Sequence, residues 1–135
     1  MKNLPLELYP SLARKAVIFL NGAKSLDEAT SRRVGSWEAS YYLLSHALEL
    51  SIKAVVLKET GKKPSRIHDK EVLAGKYRTE CGFSDDEVNM IIKLKLLNNG
   101  PGGLRYDNIP QDKFLPSTFH SGVKIVERLL EKFEF

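Results

Sequence analysis

The feature that most constrains the fold is a segment from Ser36 to Thr60 that contains neither proline nor glycine and is followed by Gly61. Its apolar side chains form two lines at helical spacing, one through Trp37, Tyr41, Leu44, Leu48 and Val55 and the other through Leu43, Leu50 and Leu57. A helix that is apolar on more than one side packs on more than one side. The segment therefore predicts a central helix over 36–60, with Ser36 as its cap and Gly61 as its stop.

Helices are also predicted on both sides of this segment. Before it, a helix is expected to begin near Ser11 and to weaken at Asn21-Gly22, with residues 24–35 as a polar connection. After it, the sequence predicts a helix over 69–80 that breaks at Cys81-Gly82-Phe83.

The C-terminal part of the chain predicts two more helices. Ser84-Asp85-Asp86-Glu87 forms a capping box, and the helix that it starts is expected to run to about Asn98. The last helix opens near Pro116, with an apolar stripe formed by Phe119, Val123, Val126, Leu130 and Phe133. No segment shows sustained period-two alternation. We therefore predict an all-α fold, an antiparallel bundle of four or five helices, as a single domain over residues 1–135.

Composition narrows the class of protein. With 42% hydrophobic and 28% charged residues, a chain of 135 residues can bury one core. Cys81 is the only cysteine, which excludes an internal disulfide and favours the reducing cytoplasm. No two of His46, His68 and His120 lie within a helical turn, so we expect no metal site and no cofactor. No apolar run approaches the ~20 residues that span a bilayer, so we expect no membrane association.

Positive charge is concentrated in one stretch. The formal net charge is +4, and between Lys53 and Arg78 eight lysines and arginines stand against three acidic residues. Such a patch suits a phosphate-bearing partner. The alternative is a solvated helix end and loop without a ligand.

A series of short motifs runs in order from Trp37 to Tyr106. They are the run Tyr41-Tyr42-Leu43-Leu44-Ser45-His46-Ala47-Leu48-Glu49-Leu50-Ser51-Ile52-Lys53, then Gly61-Lys62, His68-Asp69 and Arg105-Tyr106. The series resembles the HEPN family, the nucleotide-binding domains of higher eukaryotes and prokaryotes. Lys70 departs from the family pattern, in which a leucine often follows the His-Asp pair.

The resemblance implies a helical bundle that forms a homodimer around a cleft. It also implies binding of nucleotide or RNA, or of a partner nucleotidyltransferase, in a toxin–antitoxin or defence system. Many family members are metal-independent ribonucleases that carry an arginine with a histidine a few residues after it. Arg105 is the natural candidate for the arginine, but positions 110–112, where the family motif with four to six intervening residues would place the histidine, hold Pro110, Gln111 and Asp112. His120 is too distant in sequence. The obvious ribonuclease motif is therefore absent.

Four residues are the candidates for ligand contact, namely Lys53, His68, Arg105 and Tyr106. Arg105 offers a planar fork for phosphate, and Tyr106 offers a ring on which a base could stack; alternatively the two anchor a loop. His68 offers an acid–base group or a phosphate donor. Alternatively, His68-Asp69 is only a helix cap, with Asp69 accepting amide hydrogens.

The central helix carries two further candidates, His46 and Glu49, as parts of a cleft wall or of the rim of a dimer contact. Glu49 and Lys53 are four residues apart, a spacing that favours a surface ion pair. The alternative is that Lys53 faces a phosphate and Glu49 positions it.

Three functional hypotheses follow. The first is a non-catalytic module that binds nucleotide, RNA or a partner protein. The second is a metal-independent ribonuclease that uses Arg105 with His68 or His120, brought together by the fold or by the dimer. The third is a dimeric scaffold without a ligand.

Overall fold

The computed structural model describes residues 8–30, 36–99 and 116–133, and these residues form six helices. The helices are α1 (Leu8–Thr30), α2 (Ser36–Thr60), α3 (Lys70–Lys76), α4 (Arg78–Cys81), α5 (Asp85–Asn99) and α6 (Pro116–Leu130). No strand occurs among the described residues, so the predicted all-α class is confirmed. None of the described helices has the length and apolar character required to cross a membrane.

Helices α1 and α2 are antiparallel. The Phe19 ring of α1 stacks on the His46 ring of α2, whereas Gly22, one turn further along α1, lies beside Leu43, one turn earlier in α2. Helix α1 packs against α2 more extensively than any other described pair of helices does. The two helices form the antiparallel pair that the sequence predicts.

Helix α6 runs antiparallel to α5 and parallel to α2. Gly122 lies against Leu94 near the end of α5, and Arg128 reaches Glu87 in the first turn of α5. Helices α6 and α2 run in the same direction. Phe119 near the start of α6 meets Tyr41 near the start of α2, and Lys132 just after α6 meets Glu59 at the end of α2. The four long helices therefore form the predicted bundle, with α1 and α5 running one way and α2 and α6 the other, and α3 and α4 are short additions to it.

Helix α2 is the centre of this bundle, as predicted. Its buried apolar residues come from every side of the helix and are Tyr41, Leu44, Ala47, Leu48, Ile52, Ala54, Val55, Val56 and Leu57. The helix ends where Gly61 adopts a left-handed conformation (φ 68°) and donates its amide to the Leu57 carbonyl at 2.9 Å. The predicted stop is therefore confirmed.

Helix α1 is longer than predicted. It begins at Leu8, continues through Asn21-Gly22 and ends at Thr30, so the predicted start near Ser11 is wrong, and so is the predicted connection over 24–30. Residues 31–35 of that connection lie outside the described residues. The glycine is a packing residue, because a Cβ at Gly22 would lie 3.3 Å from Leu43 Cδ1. Glycine weakens a helix by roughly 1 kcal/mol relative to alanine, and here the close approach of α2 offsets that cost.

The predicted helix over 69–80 is interrupted. Tyr77, with φ −111° and ψ 26°, separates α3 from α4, and its hydroxyl accepts the Ser65 amide at 2.9 Å. Gly82, in the left-handed conformation (φ 65°), ends α4 at the predicted break. The interruption thus lies at a residue whose hydroxyl bonds to the segment before α3, a contact that the local sequence does not indicate.

The Glu87 carboxylate both caps the start of α5 and binds α6. The capping box forms as predicted, with the Glu87 amide on Ser84 Oγ at 3.1 Å and the Ser84 amide on Glu87 Oε1 at 3.0 Å. Arg128 of α6 donates Nε and Nη2 to the same carboxylate at 2.7 and 2.9 Å, and Nη1 to the Cys81 carbonyl at 3.0 Å. The bidentate ion pair between Arg128 and Glu87 fixes the position of α6 along α5.

Candidate ligand-binding site

Three charged side chains and a histidine converge at the middle of α2. The buried Glu49 carboxylate, 7% exposed, contacts the Lys53 ammonium at 3.0 Å and His68 Nδ1 at 2.5 Å through Oε2. Its other oxygen, Oε1, lies 3.4 Å from the Lys70 ammonium. We call Glu49, Lys53, His68 and Lys70 the Glu49 cluster.

Local structure brings these residues together. Lys53 lies one turn after Glu49 on α2, so the two side chains share a face. His68 and Lys70 flank Asp69, the N-cap of α3, whose side chain accepts the amides of Glu71 and Val72 at 2.9 and 3.2 Å. The cap fixes the first turn of α3, and the residues on either side of it, His68 and Lys70, contact Glu49 of α2.

The cluster carries excess positive charge. Burial alone would raise the pKa of Glu49, but hydrogen bonds from His68 and Lys53 and the charge of Lys70 outweigh it, and the pKa is lowered. One carboxylate thus faces two ammonium groups, and a third positive charge is present whenever His68 is protonated. Lys53 and Lys70 are 8% and 9% exposed, and neither donates to another acceptor among the described residues.

An aromatic group lies next to the cluster on the same helix. The His46 ring stacks on Phe19 of α1, with centroids 5.3 Å apart, and meets Tyr42 edge-on at 4.6 Å. Burial lowers the pKa of His46 and the charge of Lys70 lowers it further, against a smaller opposing effect of Glu49. His46 is therefore a neutral aromatic ring at physiological pH.

A protein-family model described as the HEPN domain matches residues 9–134, which include nearly all of the described chain. The chain belongs to the HEPN family. The resemblance found in the sequence motifs is therefore confirmed. Neither a curated protein nor a solved structure matches the chain significantly.

The HEPN domain brings together four of the residues singled out from its sequence. Lys53, His68 and Glu49 belong to one cluster, and His46 adjoins it. Arg105 and Tyr106 lie outside the described residues. His120 lies exposed on α6, edge-on to Phe119, and makes no contact with the Glu49 cluster.

Two local expectations about these residues were tested by the structure. Glu49 and Lys53 do pair, but the expectation of a surface pair is wrong, because α3 and the segment before it cover both side chains. Asp69 is a helix cap, as predicted. The cap does not exclude a further role for His68, since the carboxylate that holds His68 is Glu49.

Sequence reasoning missed Lys70. Lys70 stood out only as a departure from the HEPN pattern. It is nevertheless the first residue of the buried face of α3, which continues through Leu73, Ala74 and Tyr77. A lysine at the first position of an apolar line with a 3–4 residue spacing signals a buried charge that needs a partner. That signal was present in the sequence, but the partner, Glu49, could not be identified from it.

The predicted basic stretch divides into two groups. Lys53 and Lys70 are buried in the cluster, and Arg78 pairs with Asp85. The exposed group includes Lys62, Lys63 and Arg66 of the segment that leads from α2 to α3, together with Lys58 and Lys76 on the flanking helices. No group of three or more His, Cys, Asp or Glu side chains within the described part of the HEPN domain could hold a metal ion.

Proposed function

We propose that this HEPN domain is a non-catalytic module that binds nucleotide or RNA, with the Glu49 cluster as its phosphate-contacting site. HEPN domains often bind RNA and often dimerise, and family membership supports that general class of function. The observation that carries the proposal is the convergence of Lys53, Lys70 and His68 on one buried carboxylate.

The charge balance of the cluster explains why an anion would bind there. A buried ammonium group is costly unless it is paired and hydrogen-bonded, and Glu49 can neutralise only one of the two. Each ammonium retains N–H groups beyond the one directed at Glu49. A phosphate group supplies both the missing negative charge and the missing acceptors.

Neighbouring residues support a phosphate chain rather than an isolated anion. Lys62, Lys63 and Arg66 are exposed on the segment that leads into the cluster. Exposed cations raise the local concentration of a polyanion and speed its association. Arg105 and Tyr106 remain proposed contacts to phosphate and base, as their chemistry suggests. We also propose a homodimer, or a complex with a nucleotidyltransferase in a toxin–antitoxin or defence system, as the biological setting.

The test is the binding of a labelled single-stranded RNA of mixed sequence, followed by fluorescence anisotropy as salt is raised. Lys70→Gln and Lys53→Gln should weaken binding, and the plot of log K against log salt should become shallower by about 0.7 for each lost phosphate contact. Lys93→Gln is the matched control, because Lys93 is exposed on α5 and loses the same charge. Absence of RNA binding by the parent at low salt, or equal effects of all three substitutions, would reject the proposal.

A second candidate function, a metal-independent ribonuclease, is favoured by one observation. The His68 side chain is 80% exposed, while its Nδ1 is held by the buried Glu49 carboxylate at 2.5 Å. This arrangement orients an imidazole and leaves Nε2 available as a general base that takes the proton of a ribose 2′-hydroxyl. The hydroxyl oxygen would attack the adjacent phosphate to form a 2′,3′-cyclic phosphate, and the bond to the 5′-oxygen of the next nucleotide would break, that oxygen leaving with a proton. Arg105 would stabilise the developing charge.

The ribonuclease is tested by incubating the protein with a mixed RNA pool in the presence of a chelator. Cleavage by the parent that is lost in both His68→Ala and Arg105→Ala would establish the enzyme and replace the non-catalytic module. Intact RNA with the parent would reject catalysis and leave the binding module to be judged by the anisotropy experiment.

A further inference from the structure

The side chains beside the Glu49 cluster form one continuous line on α2. Tyr42, His46, Glu49 and Lys53 follow one another at intervals of four, three and four residues, so they lie on one face of the helix. At a rise of ~1.5 Å per residue, the line extends on the order of 10 Å from Tyr42 to the level of Glu49. Its first half is aromatic and its second half is charged.

Tyr42 is the exposed end of this line. It is 54% exposed, and it is one of the large hydrophobic residues exposed among the described residues, with Ile18, Ile67 and Val72. The tyrosine is nonetheless held in place, because His46 meets it edge-on at 4.6 Å and is itself stacked on Phe19 at 5.3 Å. An aromatic ring that is supported on one side and open on the other is a surface on which a flat ligand can stack.

The chemistry of His46 suits a supporting role rather than a phosphate contact. The ring is neutral at physiological pH, because burial and the charge of Lys70 lower its pKa. A neutral ring packs against Phe19 and Tyr42 without the desolvation cost that a buried cation would carry. The positive charge of the site is thereby confined to the Glu49 cluster, and the aromatic group stays uncharged.

We infer that Tyr42 is a base-stacking residue and that the ligand of this site is single-stranded RNA with an unpaired base next to the bound phosphate. This inference rests on the proposed function and extends it, since it assigns the base as well as the phosphate. An unpaired base and its backbone phosphate combine a flat π-surface with a negative charge, and the line on α2 combines an aromatic ring with a group of cations. Bases in a duplex are stacked on one another and cannot reach such a ring.

The charge pattern favours this ligand over a second protein surface. Tyr42 is the large hydrophobic side chain exposed on α2 among the described residues, and on the same face of α2 one carboxylate, Glu49, faces two ammonium groups. Stacking on an aromatic ring tolerates every base, because each base has a π-face. The site is therefore expected to bind single strands with little preference for sequence.

The experiment compares Tyr42→Ala, Tyr42→Phe and the control Ile18→Ala with the parent, using labelled single-stranded RNA and the same RNA annealed to its complement. Tyr42→Ala should weaken single-strand binding about 5- to 100-fold, whereas Tyr42→Phe, which keeps the ring, and Ile18→Ala should stay close to the parent. The salt dependence should be unchanged in Tyr42→Ala, because no phosphate contact is lost. A 2-aminopurine base in the RNA should be quenched on binding to the parent and not on binding to Tyr42→Ala.

The outcomes separate this inference from the function on which it rests. If the parent binds RNA and Lys70→Gln weakens it, but Tyr42→Ala binds as the parent does, the stacking residue is rejected and the phosphate site stands. If Tyr42→Ala instead changes the oligomeric state in light scattering, without changing affinity per protomer, the tyrosine belongs to a protein contact and the inference is overturned. If the parent binds no RNA at low salt, both proposals are overturned.

Discussion

Removal of the Glu49 carboxylate is expected to destabilise the protein strongly. In Glu49→Ala, Lys53 and Lys70 would lose the carboxylate that both contact, while their side chains are only 11% exposed. Removing one partner of a buried ion pair costs roughly 3–5 kcal/mol, because the remaining charge stays buried. Lysine stems can carry the ammonium groups toward solvent, so we expect a loss near the lower limit, about 3 kcal/mol.

A loss of this size is readily measured. Domains of this kind are stable by about 5–15 kcal/mol, so the variant should unfold at a clearly lower urea concentration. The assay is urea unfolding followed by far-UV circular dichroism, with an unchanged m-value as the check that both states remain comparable. On heating, the melting temperature should fall by about 10 °C.

The electrostatic cause can be separated from the loss of packing. In a Lys53→Met, Lys70→Met background the same Glu49→Ala substitution leaves no buried ammonium behind and removes a carboxylate that has already lost both ammonium partners. Its cost should therefore fall to about zero or become a gain in stability. Equal costs in the two backgrounds would show that the loss comes from a cavity and not from charge. A cost below about 1 kcal/mol in the parent would refute the view that Glu49 holds two buried cations.

Two further predictions concern the core and the response to acid. Gly122→Ala should destabilise the protein by about 1 kcal/mol. The new Cβ would lie 2.8 Å from Leu44 Cδ2 and 2.9 Å from Leu94 Cδ1, and the cost of this overpacking exceeds the gain in helix propensity from alanine. Gly75→Ala, where a Cβ meets nothing within 4 Å, should raise the free energy of unfolding by about 0.5–1 kcal/mol. Urea unfolding of both variants measures the two changes in this free energy, and two changes of the same sign would contradict the prediction. Stability should also fall as the pH drops below 6.5, because the unfolded chain then binds a proton at His46 that the folded chain, with its lowered pKa, does not. A second fall should follow below pH 4.5 as Glu49 is protonated through its lowered pKa. A denaturation midpoint that stays constant from neutral pH to about pH 5 would contradict the first prediction, and one that stays constant from about pH 4.5 downward would contradict the second.

The sequence predicts those helix ends that depend on neighbouring residues. The end of α2 at Gly61 and the start of α5 at the Ser84–Glu87 box were predicted correctly, since each is made by a turn of chain that caps itself. The extent of α1 was predicted wrongly because Gly22 was interpreted as a weak point, whereas its reason is the contact with Leu43 on another helix. A local rule cannot distinguish these two uses of glycine.

The candidate site shows the same limit. Lys53, His68 and Glu49 were selected from residue type and spacing, and the structure brings them into contact. No sequence pattern pairs His68 with Glu49, nineteen positions away, or indicates that Lys70 completes the cluster. Those relations depend on how α3 packs against α2, which is a property of the whole bundle.

The contacts that seat α6 bear on how this domain can evolve. Gly122 packs against α2 and α5, and Arg128 donates two hydrogen bonds to the Glu87 carboxylate. Residues within α6 therefore set its position in the bundle. The alignment of α6 thus depends on contacts between described helices. Substitutions that leave Gly122, Arg128 and Glu87 unchanged are expected to keep the position of α6 in the bundle.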